Sequence, residues 1–378
     1  MHLSESICHR KVTDSHPENP VKSLSVASLL LGPATKTGAR CGPQEATIEC
    51  GQQAAGPRSL RADQVRPRSG CFCNSGGKLS KRSSALEALP AHARLVIPVL
   101  GPAGGSGRST TAGLLAAAFS SSGPSVVLDT APRLASPWPL WCTDPGDGLL
   151  SIPPDRPATR QRIQQAASGC RTSEGHTWQV LTDHQSWSSA PLPLPTDPAA
   201  WHQLAAAGGW QAVVADTPHA VAQDIIAARC AGRSGQTASW CALPFAVPVL
   251  SAAATGPGVQ ALQIAVKAAV AEGLPLGRAV VALTSTGEGR PPAPVRAAAT
   301  MLRSHAFAVV SVPHDPHIRT HGMSDSHRVR PKTITAGHDL ARAVLASARA
   351  AWGDPLPAAR RPAPLSFDAV VAPEKVPA

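Results

Sequence analysis

The chain has 378 residues with 35 Lys and Arg against 24 Asp and Glu, and only 16% of its residues are charged. This rules out a highly charged nucleic-acid-binding tail, and the length allows one large domain or two ordinary ones. A transmembrane helix needs a run of about 18 or more apolar residues, and the sequence contains no such run. The first residues also lack the apolar core of a secretory signal. Nine Cys without paired C-x-x-C spacing favour a reduced chain. We therefore expect a cytoplasmic protein without a transmembrane segment.

Composition also divides the chain into three parts. Residues 1–90 are rich in Ser, Gly, Pro, Lys and Arg without apolar periodicity, so we expect them to be disordered or to lie upstream of the true start. Residues 354–378 form a Pro/Ala-rich tail that we also expect to be disordered. A metal knuckle built from the N-terminal cysteines is the weaker alternative, because their spacing is poor; these are Cys41, Cys50, Cys71 and Cys73. With five Phe, eight Trp and no Tyr, the core is expected to consist of Ala, Val, Leu and Ile.

Residues 91–353 read as alternating strands and helices. Leu95–Leu100 is a short apolar run bounded by Gly101, as in a buried parallel strand; a helix is predicted over 109–120 and a strand over 125–128, ending at Asp129. The later predicted strands are 178–181, 210–215, 246–250, 279–283 and 306–312, and the later helices are 199–207, 220–229, 259–272, 295–305 and 338–351. This alternation predicts a doubly wound, mostly parallel α/β sheet with helices on both faces, interrupted by looser stretches at 136–161 and 182–198.

The most informative motif joins the first strand to the first helix. It reads Gly101-Pro-Ala-Gly-Gly-Ser-Gly-Arg-Ser-Thr-Thr111. Glycines let backbone N–H groups surround an anion, and the helix N-terminus adds a favourable dipole. Compared with the phosphate-loop pattern G-x-x-x-x-G-K-[ST], Pro102 replaces the first Gly and Arg108 replaces the Lys. A glycine-rich turn without a ligand is the alternative interpretation.

The segment Gly104–Thr111 resembles the deviant Walker A loop, K-G-G-x-G-K-[ST]-T, of the ParA/MinD-like (CobQ/CobB/MinD/ParA-type) P-loop ATPases. Three further segments follow in that family's order: 126–129 resembles the second strand and first switch, 212–218 resembles the Walker B strand and second switch, and the strands at 279–283 and 309–315 resemble those near the base. The resemblance covers about residues 94–352 and implies the P-loop NTPase fold.

The resemblance also implies site residues and cofactors, namely ATP and Mg²⁺. Ser109 would ligate Mg²⁺, and Asp216 would hold the metal through water, although Asp216 could also cap the following helix. Asp129 is either a catalytic residue of the first switch or a cap at the strand end. The residues implied to contact the nucleotide are Gly104, Gly105, Ser106, Gly107, Arg108, Ser109, Thr110 and, beside the base, Pro313.

Three departures from the family's pattern concern charge and catalysis. Ala103 stands where the family has a Lys that reaches the partner's nucleotide, and Arg108 replaces the loop Lys that contacts the β- and γ-phosphates. Ala131 replaces the acidic residue that positions the attacking water. Because phosphoryl transfer depends on charge stabilisation and positioning, we expect weak or absent hydrolysis.

Two functional classes remain open. One is a positioning, partitioning or regulatory ATPase-like protein, either free in the cytoplasm or peripheral to the membrane or nucleoid. The other is a non-hydrolysing scaffold or adaptor with the same fold. A homodimer, non-specific DNA, or a cell-division, transfer or secretion protein are the partners considered. Clustered positive charge suits DNA phosphates; the cluster comprises Arg319, His327, Arg328, Arg330 and Lys332, predicted to share one loop. The stripe Leu340, Val344, Leu345 and Ala348 of the last helix is expected to pack on the sheet.

A histidine cluster near the last strand offers a metal site as a further alternative. The residues are His314, Asp315, His317 and His321. Pro316 is expected to break any helix that would bring these side chains together, which argues against metal binding.

Overall fold

The computed structural model describes residues 86–152 and 158–360, which all fall within one of the chain's two units, Gly77–Ala378. The expectations for residues 1–85 and 361–378, including the N-terminal cysteines, lie outside the described residues. Leu86 and Leu89 are buried in the core, as is Leu356. The packed domain therefore extends on both sides beyond the predicted limits of 91 and 353.

Eight strands form one sheet. They are β1 (Leu95–Gly101), β2 (Ser125–Asp129), β3 (Ser168–Arg171), β4 (Thr177–Leu181), β5 (Ala212–Ala220), β6 (Val249–Ala253), β7 (Val280–Thr284) and β8 (Ala308–Val312). Their order is β3-β4-β2-β5-β1-β6-β7-β8, and every neighbouring pair is parallel except β3–β4. The expected doubly wound, mostly parallel sheet is confirmed.

The order of the strands fixes where a ligand would bind. After β4 the chain returns to place β5 between β2 and β1, and it then continues through β6, β7 and β8 on the other side of β1. Open α/β sheets bind ligands beyond the carboxyl ends of the strands at such a reversal. In this chain that position is the carboxyl end of β1, where the glycine-rich loop begins.

Ten α-helices are described. They are α1 (Arg108–Phe119), α2 (Trp138–Trp141), α3 (Arg160–Ala166), α4 (Pro198–Gly208), α5 (Val221–Cys230), α6 (Gln236–Ala242), α7 (Gly256–Ala271), α8 (Ala293–Leu302), α9 (Pro316–His321) and α10 (Pro331–Trp352). None of the helices in the described ranges is long and apolar enough to span a bilayer.

The helices cover both faces of the sheet. Leu95, Ile97 and Val99 of β1 belong to a core cluster formed with α1 and α10. Val96 and Leu100 belong to two clusters on the opposite face, which contain residues of α3, α4 and α6, and of α5, α7 and α8. The predicted apolar stripe of α10 is buried in the first of these clusters, which confirms that this helix packs on the sheet.

The expectation of a core without large aromatics is wrong. The largest fully buried side chains include five Trp in addition to Phe119; they are Trp138, Trp178, Trp201, Trp210 and Trp240. Three of their indole N–H groups donate to protein oxygens, those of Trp138, Trp201 and Trp210. A few large rings fill volume that an Ala-rich sequence leaves open, because interiors are close-packed.

The sequence prediction missed the elements that have weak periodicity. The antiparallel edge strand β3 contains Gly169 and Arg171, and neither residue type signals a strand. The stretch 136–161, predicted to be loose, contains α2, a 3₁₀ turn at Leu149–Ser151 and the start of α3. The stretch 182–198 contains no regular element until α4 begins at its last residue.

Truncation of Phe119 should reveal how much the few buried aromatics stabilise this domain. Phe119 is fully buried at the end of α1, whereas Phe307 is 40% exposed. Phe119→Ala should lower the free energy of unfolding by about 3–5 kcal/mol, since it removes apolar contacts and leaves a cavity. The matched control Phe307→Ala should lower it by less than about 1 kcal/mol. Chemical denaturation of both variants checks this, and equal losses would contradict the packing described here.

Candidate functional site

The glycine-rich loop leaves β1 and becomes α1 at Arg108. Gly107 precedes the helix with φ 80° and ψ 22°, in the left-handed region that favours glycine. A Cβ built on Gly104 or Gly105 would meet no atom within 4 Å, so open space adjoins this part of the loop. Thr110 lies in the first turn of α1 and is half-buried. The loop therefore exposes its backbone beside the N-terminus of a helix of 12 residues.

Ser251 of β6 holds the loop from below. Its hydroxyl donates to the Ser106 carbonyl at 2.8 Å and lies 3.0 Å from the Thr111 hydroxyl, and both Ser251 and Thr111 are fully buried. In a planar trans peptide the N–H points opposite to the C=O. Because the Ser106 carbonyl faces β6, the N–H of Gly107 points away from the sheet. The Ser106 hydroxyl is itself buried and has no hydrogen-bond partner within the described part of the chain.

Two buried carboxyl groups lie side by side next to the loop. Asp129 ends β2 and is in register with Asp216 on the paired strand β5; their exposed fractions are 2% and 5%. The hydroxyls of Ser136 and Thr182 each donate to Oδ2 of Asp129 at 2.6 Å. The Ala131 N–H donates to Oδ1 at 3.2 Å, so Asp129 does cap the end of its strand.

The environment shifts the pKa of both groups. The pKa of Asp129 is raised to about 7 overall. Burial is the main cause, the neighbouring Asp216 also raises it, and the hydrogen bonds from Ser136 and Thr182 lower it. Burial also raises the pKa of Asp216, against the Ser109 hydroxyl, the hydrogen bond from Trp138 and the positive charge of Arg108. A neighbouring carboxylate in a buried site opposes ionisation, so two negative charges on this pair are unfavourable.

Asp216 and Ser109, the pair implied to serve a metal ion, are brought together. The Ser109 hydroxyl lies close enough to Asp216 to lower its pKa, and the indole N–H of Trp138 donates to Oδ2 of Asp216 at 2.8 Å. The alternative that Asp216 caps the next helix is wrong, because β5 continues to Ala220 and α5 starts only at Val221, without a side-chain cap.

Arg108 turns toward the end of β5. Its Nη1 donates to the His219 carbonyl at 2.5 Å, while the aliphatic part of the side chain lies against Gly101. Burial lowers the pKa of Arg108 and the charge of Asp216 raises it, but a guanidinium remains protonated. The positive charge that a loop Lys would carry therefore lies near Asp216.

The segment after β2 is attached to the site by residues that the sequence did not single out. Arg133 forms an ion pair with Asp183 at 3.2 Å, with side chains 9% and 5% exposed, and donates to the Ser189 carbonyl at 2.7 Å. Together with Ser136 and Trp138, Arg133 anchors residues 133–141. Of the supporting residues that the sequence did not single out, only Ser251 carried a recognisable signal, because it is a polar residue inside the apolar strand β6.

Pro313 follows the edge strand β8, three strands away from β1. At about 4.8 Å per strand this is roughly 14 Å along the sheet edge. Asp315 caps α9 by accepting from the N–H groups of His317 and Ile318, and Pro316 starts this helix instead of breaking it, which corrects the prediction. Within the described ranges no group of three or more His, Cys, Asp or Glu could hold a metal ion.

The basic residues do not share one loop, contrary to the prediction. Arg319 lies on α9, Arg328 ends a 3₁₀ turn and Lys332 lies in the first turn of α10. Arg330 precedes α10 and forms an ion pair with Glu288 at 3.0 Å. Part of the positive charge of this region is therefore neutralised locally.

No protein-family model matches the chain, and no curated protein does. Similar solved structures include the cell division ATPase MinD of Pyrococcus furiosus, with 15% identity over 65% of this chain and 97% of that chain and a TM-score of 0.42. Another is the septum site-determining protein MinD of Pyrococcus horikoshii in complex with Mg-ADP (18% identity, 66% and 94% coverage, TM-score 0.43). A third is a ParA family ATPase of Chlorobium tepidum (12% identity, 66% and 98% coverage, TM-score 0.47). Likeness at this level carries no activity, substrate or partner over to this chain.

The raised pKa of Asp129 should make the stability of the protein depend on pH. Its folded pKa is about 7 against an ordinary 3.8, so the folded state binds this proton more tightly and the resulting stabilisation is present below about pH 4. As the pH rises through 7 this contribution, on the order of 4 kcal/mol at most, is lost. Asp129→Asn should therefore flatten the fall in the free energy of unfolding between these limits. Denaturant titrations across this range measure it, and the exposed Asp339→Asn is the control; an unchanged slope for Asp129→Asn would contradict the assignment.

Proposed function

We propose that the chain is a ParA/MinD-like nucleotide-binding protein that binds the phosphates of ATP with its glycine-rich loop. It hydrolyses ATP weakly or not at all. The observation that carries this proposal is the inward-turned Ser106 carbonyl, held by Ser251, which directs the Gly107 N–H away from the sheet. Together with the left-handed conformation of Gly107, this support fixes the direction in which the loop presents its backbone N–H groups.

The residues around the loop fit a phosphate group. Open space adjoins Gly104 and Gly105, and the backbone N–H groups of a helix N-terminus attract anions. Arg108 adds a positive charge at the start of α1. The amides from Gly104 to Ser109 would hold the β- and γ-phosphates, Thr110 would lie near the α-phosphate, and Pro313 would border the base.

The fit to Mg²⁺ is poor. Ser109 and Asp216 are the expected pair, and Mg²⁺ takes oxygen ligands and keeps several of its waters. One oxygen of Asp216 already accepts the indole N–H of Trp138, and the carboxyl group is almost fully buried. An indole N–H is only a donor and cannot ligate a metal. This arrangement therefore does not match the oxygen ligands that Mg²⁺ requires.

Weak hydrolysis follows from the first switch. Attack on the γ-phosphate requires a positioned water, and Ala131 offers no side-chain acceptor for it. Asp129, the remaining catalytic candidate, is 2% exposed, and hydroxyl donors already surround it. A carboxyl with a pKa near 7 could accept a proton, but a carboxyl group this buried does not reach a water that attacks the phosphate from solvent.

The proposal also includes a homodimer and a contact with DNA. Ala103, at the position of the family's cross-interface Lys, is exposed and provides no charge for a partner's nucleotide. DNA could be held by Arg319, Arg328 and Lys332, although the ion pair of Arg330 with Glu288 reduces this charge.

A scaffold or adaptor role is the second candidate, and exposed apolar side chains favour it. Leu134, Leu140 and Trp187 are 78%, 87% and 80% exposed. The first two lie on the segment after β2, and Trp187 lies in the turn next to Ser189, whose carbonyl bonds Arg133 of that segment. Exposed apolar residues on two connected segments are typical of partner contacts.

Gly107→Val should remove nucleotide binding. A β-branched residue disfavours φ of +80°, and its Cβ would lie 3.0 Å from the Thr284 hydroxyl, so the loop would lose the conformation that presents its amides. Titration with a fluorescent ATP analogue measures the affinity, and circular dichroism checks the fold. Gly273→Val is the matched control, because it imposes similar strain (φ +69°) in open space far along the chain. Unchanged affinity in a folded Gly107→Val protein would remove the loop from the proposal.

Arg108→Lys combined with Ala131→Asp should raise ATP hydrolysis above that of the wild type. The pair provides a compact ammonium in place of the guanidinium that bonds His219, and a carboxylate that can position water. Each single change should do little, since both groups serve one transition state. Phosphate release measures the rates. Wild-type turnover at or above that of the double variant would show that another group positions the water.

A further inference from the structure

We infer that this chain binds the polyphosphate of a nucleotide without needing a divalent cation, and that Trp138 is the residue that keeps the cation out. The inference rests on the proposed nucleotide binding. It concerns the one position of the site where the geometry and the expected cofactor disagree, the carboxyl group of Asp216.

Trp138 occupies one oxygen of the carboxylate through which a hydrated cation would be held. Its indole N–H donates to Oδ2 of Asp216 at 2.8 Å, and the Ser109 hydroxyl lies close enough to lower the pKa of this carboxyl group. A water of a hydrated cation approaches a carboxylate as a donor, so the indole already takes one of the acceptor positions that such a water could use. Replacing the indole costs the hydrogen bond of a buried donor.

The ring is held firmly in this position. Trp138 is fully buried and contacts Trp141 and Trp178 edge-on, with ring centroids 5.3 and 6.0 Å apart. Its outer edge packs against α1 at Gly113, where an added Cβ would lie 3.2 Å from the ring. Glycine at this position therefore leaves room for the indole. Displacing the ring would disturb the core as well as one hydrogen bond.

The segment that carries Trp138 is attached at two further points. Ser136 donates to Asp129, and Arg133 pairs with the buried Asp183. These contacts hold the chain before Trp138 against the ends of β2 and β4. The indole thus reaches Asp216 from an element that is fixed independently of it.

Arg108 supplies positive charge where a cation would otherwise supply it. Its guanidinium lies close enough to Asp216 to affect that group's pKa, and it donates to the His219 carbonyl at the end of the same strand. A guanidinium has five N–H donors, so bonding one carbonyl leaves others for phosphate oxygens.

The test compares nucleotide affinity with and without the cation, using the full chain and a fluorescent ATP analogue. Titrations in excess MgCl₂ and in excess EDTA, at matched ionic strength, should give dissociation constants within about threefold of each other for the wild type. Trp138→Phe keeps the ring but removes the N–H, and it should bind at least about tenfold more tightly with Mg²⁺ than in EDTA. Trp141→Phe is the matched control in the same short helix and should keep the wild-type ratio.

Each outcome is distinct. Wild-type binding that is more than about threefold tighter with Mg²⁺ would overturn the inference and leave the proposed function standing. Binding in neither condition would overturn both. If Trp138→Phe folds but shows the wild-type ratio, Trp138 does not exclude the cation. Because the wild-type comparison uses no variant, it decides the cation requirement even if Trp138→Phe does not fold.

Discussion

The arrangement of this site depends on the burial of two carboxyl groups on adjacent parallel strands. Asp129 and Asp216 are in register, so the sheet itself sets their separation, and neither can move away from the other. Buried carboxyls require hydrogen-bond donors or a proton. The hydroxyls of Ser136 and Thr182 serve Asp129, and the indole of Trp138 serves Asp216. The segment after β2 is therefore ordered by the need to satisfy these acids.

The need of buried polar groups for hydrogen-bond partners also explains the conformation of the glycine-rich loop on the other side of Asp216. Backbone carbonyls beyond the end of a strand, or at an irregularity within it, are not bonded by a neighbouring strand, so side chains must serve them. Ser251 donates to the Ser106 carbonyl in the loop, and Thr217 donates at 2.8 Å to the carbonyl of Val99, where the register between β1 and β5 shifts. Both side chains come from neighbouring strands and are fully buried. The conformation of the loop thus depends on the sheet beneath it as well as on its glycines.

The sequence was sufficient to predict the sheet and the position of the loop, because both depend on local signals. Apolar runs of five or six residues bounded by glycine or acid marked most of the parallel strands, and glycines before a helix marked the loop. The contacts of Trp138 and Arg133 could not be predicted, since the signal was only one Trp and one Arg in a Pro-rich stretch. Their roles arise from residues 50 to 80 positions away, such as Asp183 and Asp216, which only the folded sheet brings near. The edge strand β3 was missed because an antiparallel pair beside a turn needs little apolar sequence.

These contacts suggest that the departures in the loop and in the first switch are linked. A loop Lys, a divalent cation and a carboxylate for water form one electrostatic system around the γ-phosphate. In this chain a guanidinium is anchored on the His219 carbonyl, an indole takes the carboxylate oxygen, and an alanine replaces the water-positioning acid. Together they leave Asp216 hydrogen-bonded and opposed by one positive charge, which supports the proposal of a site that holds phosphate without cleaving it.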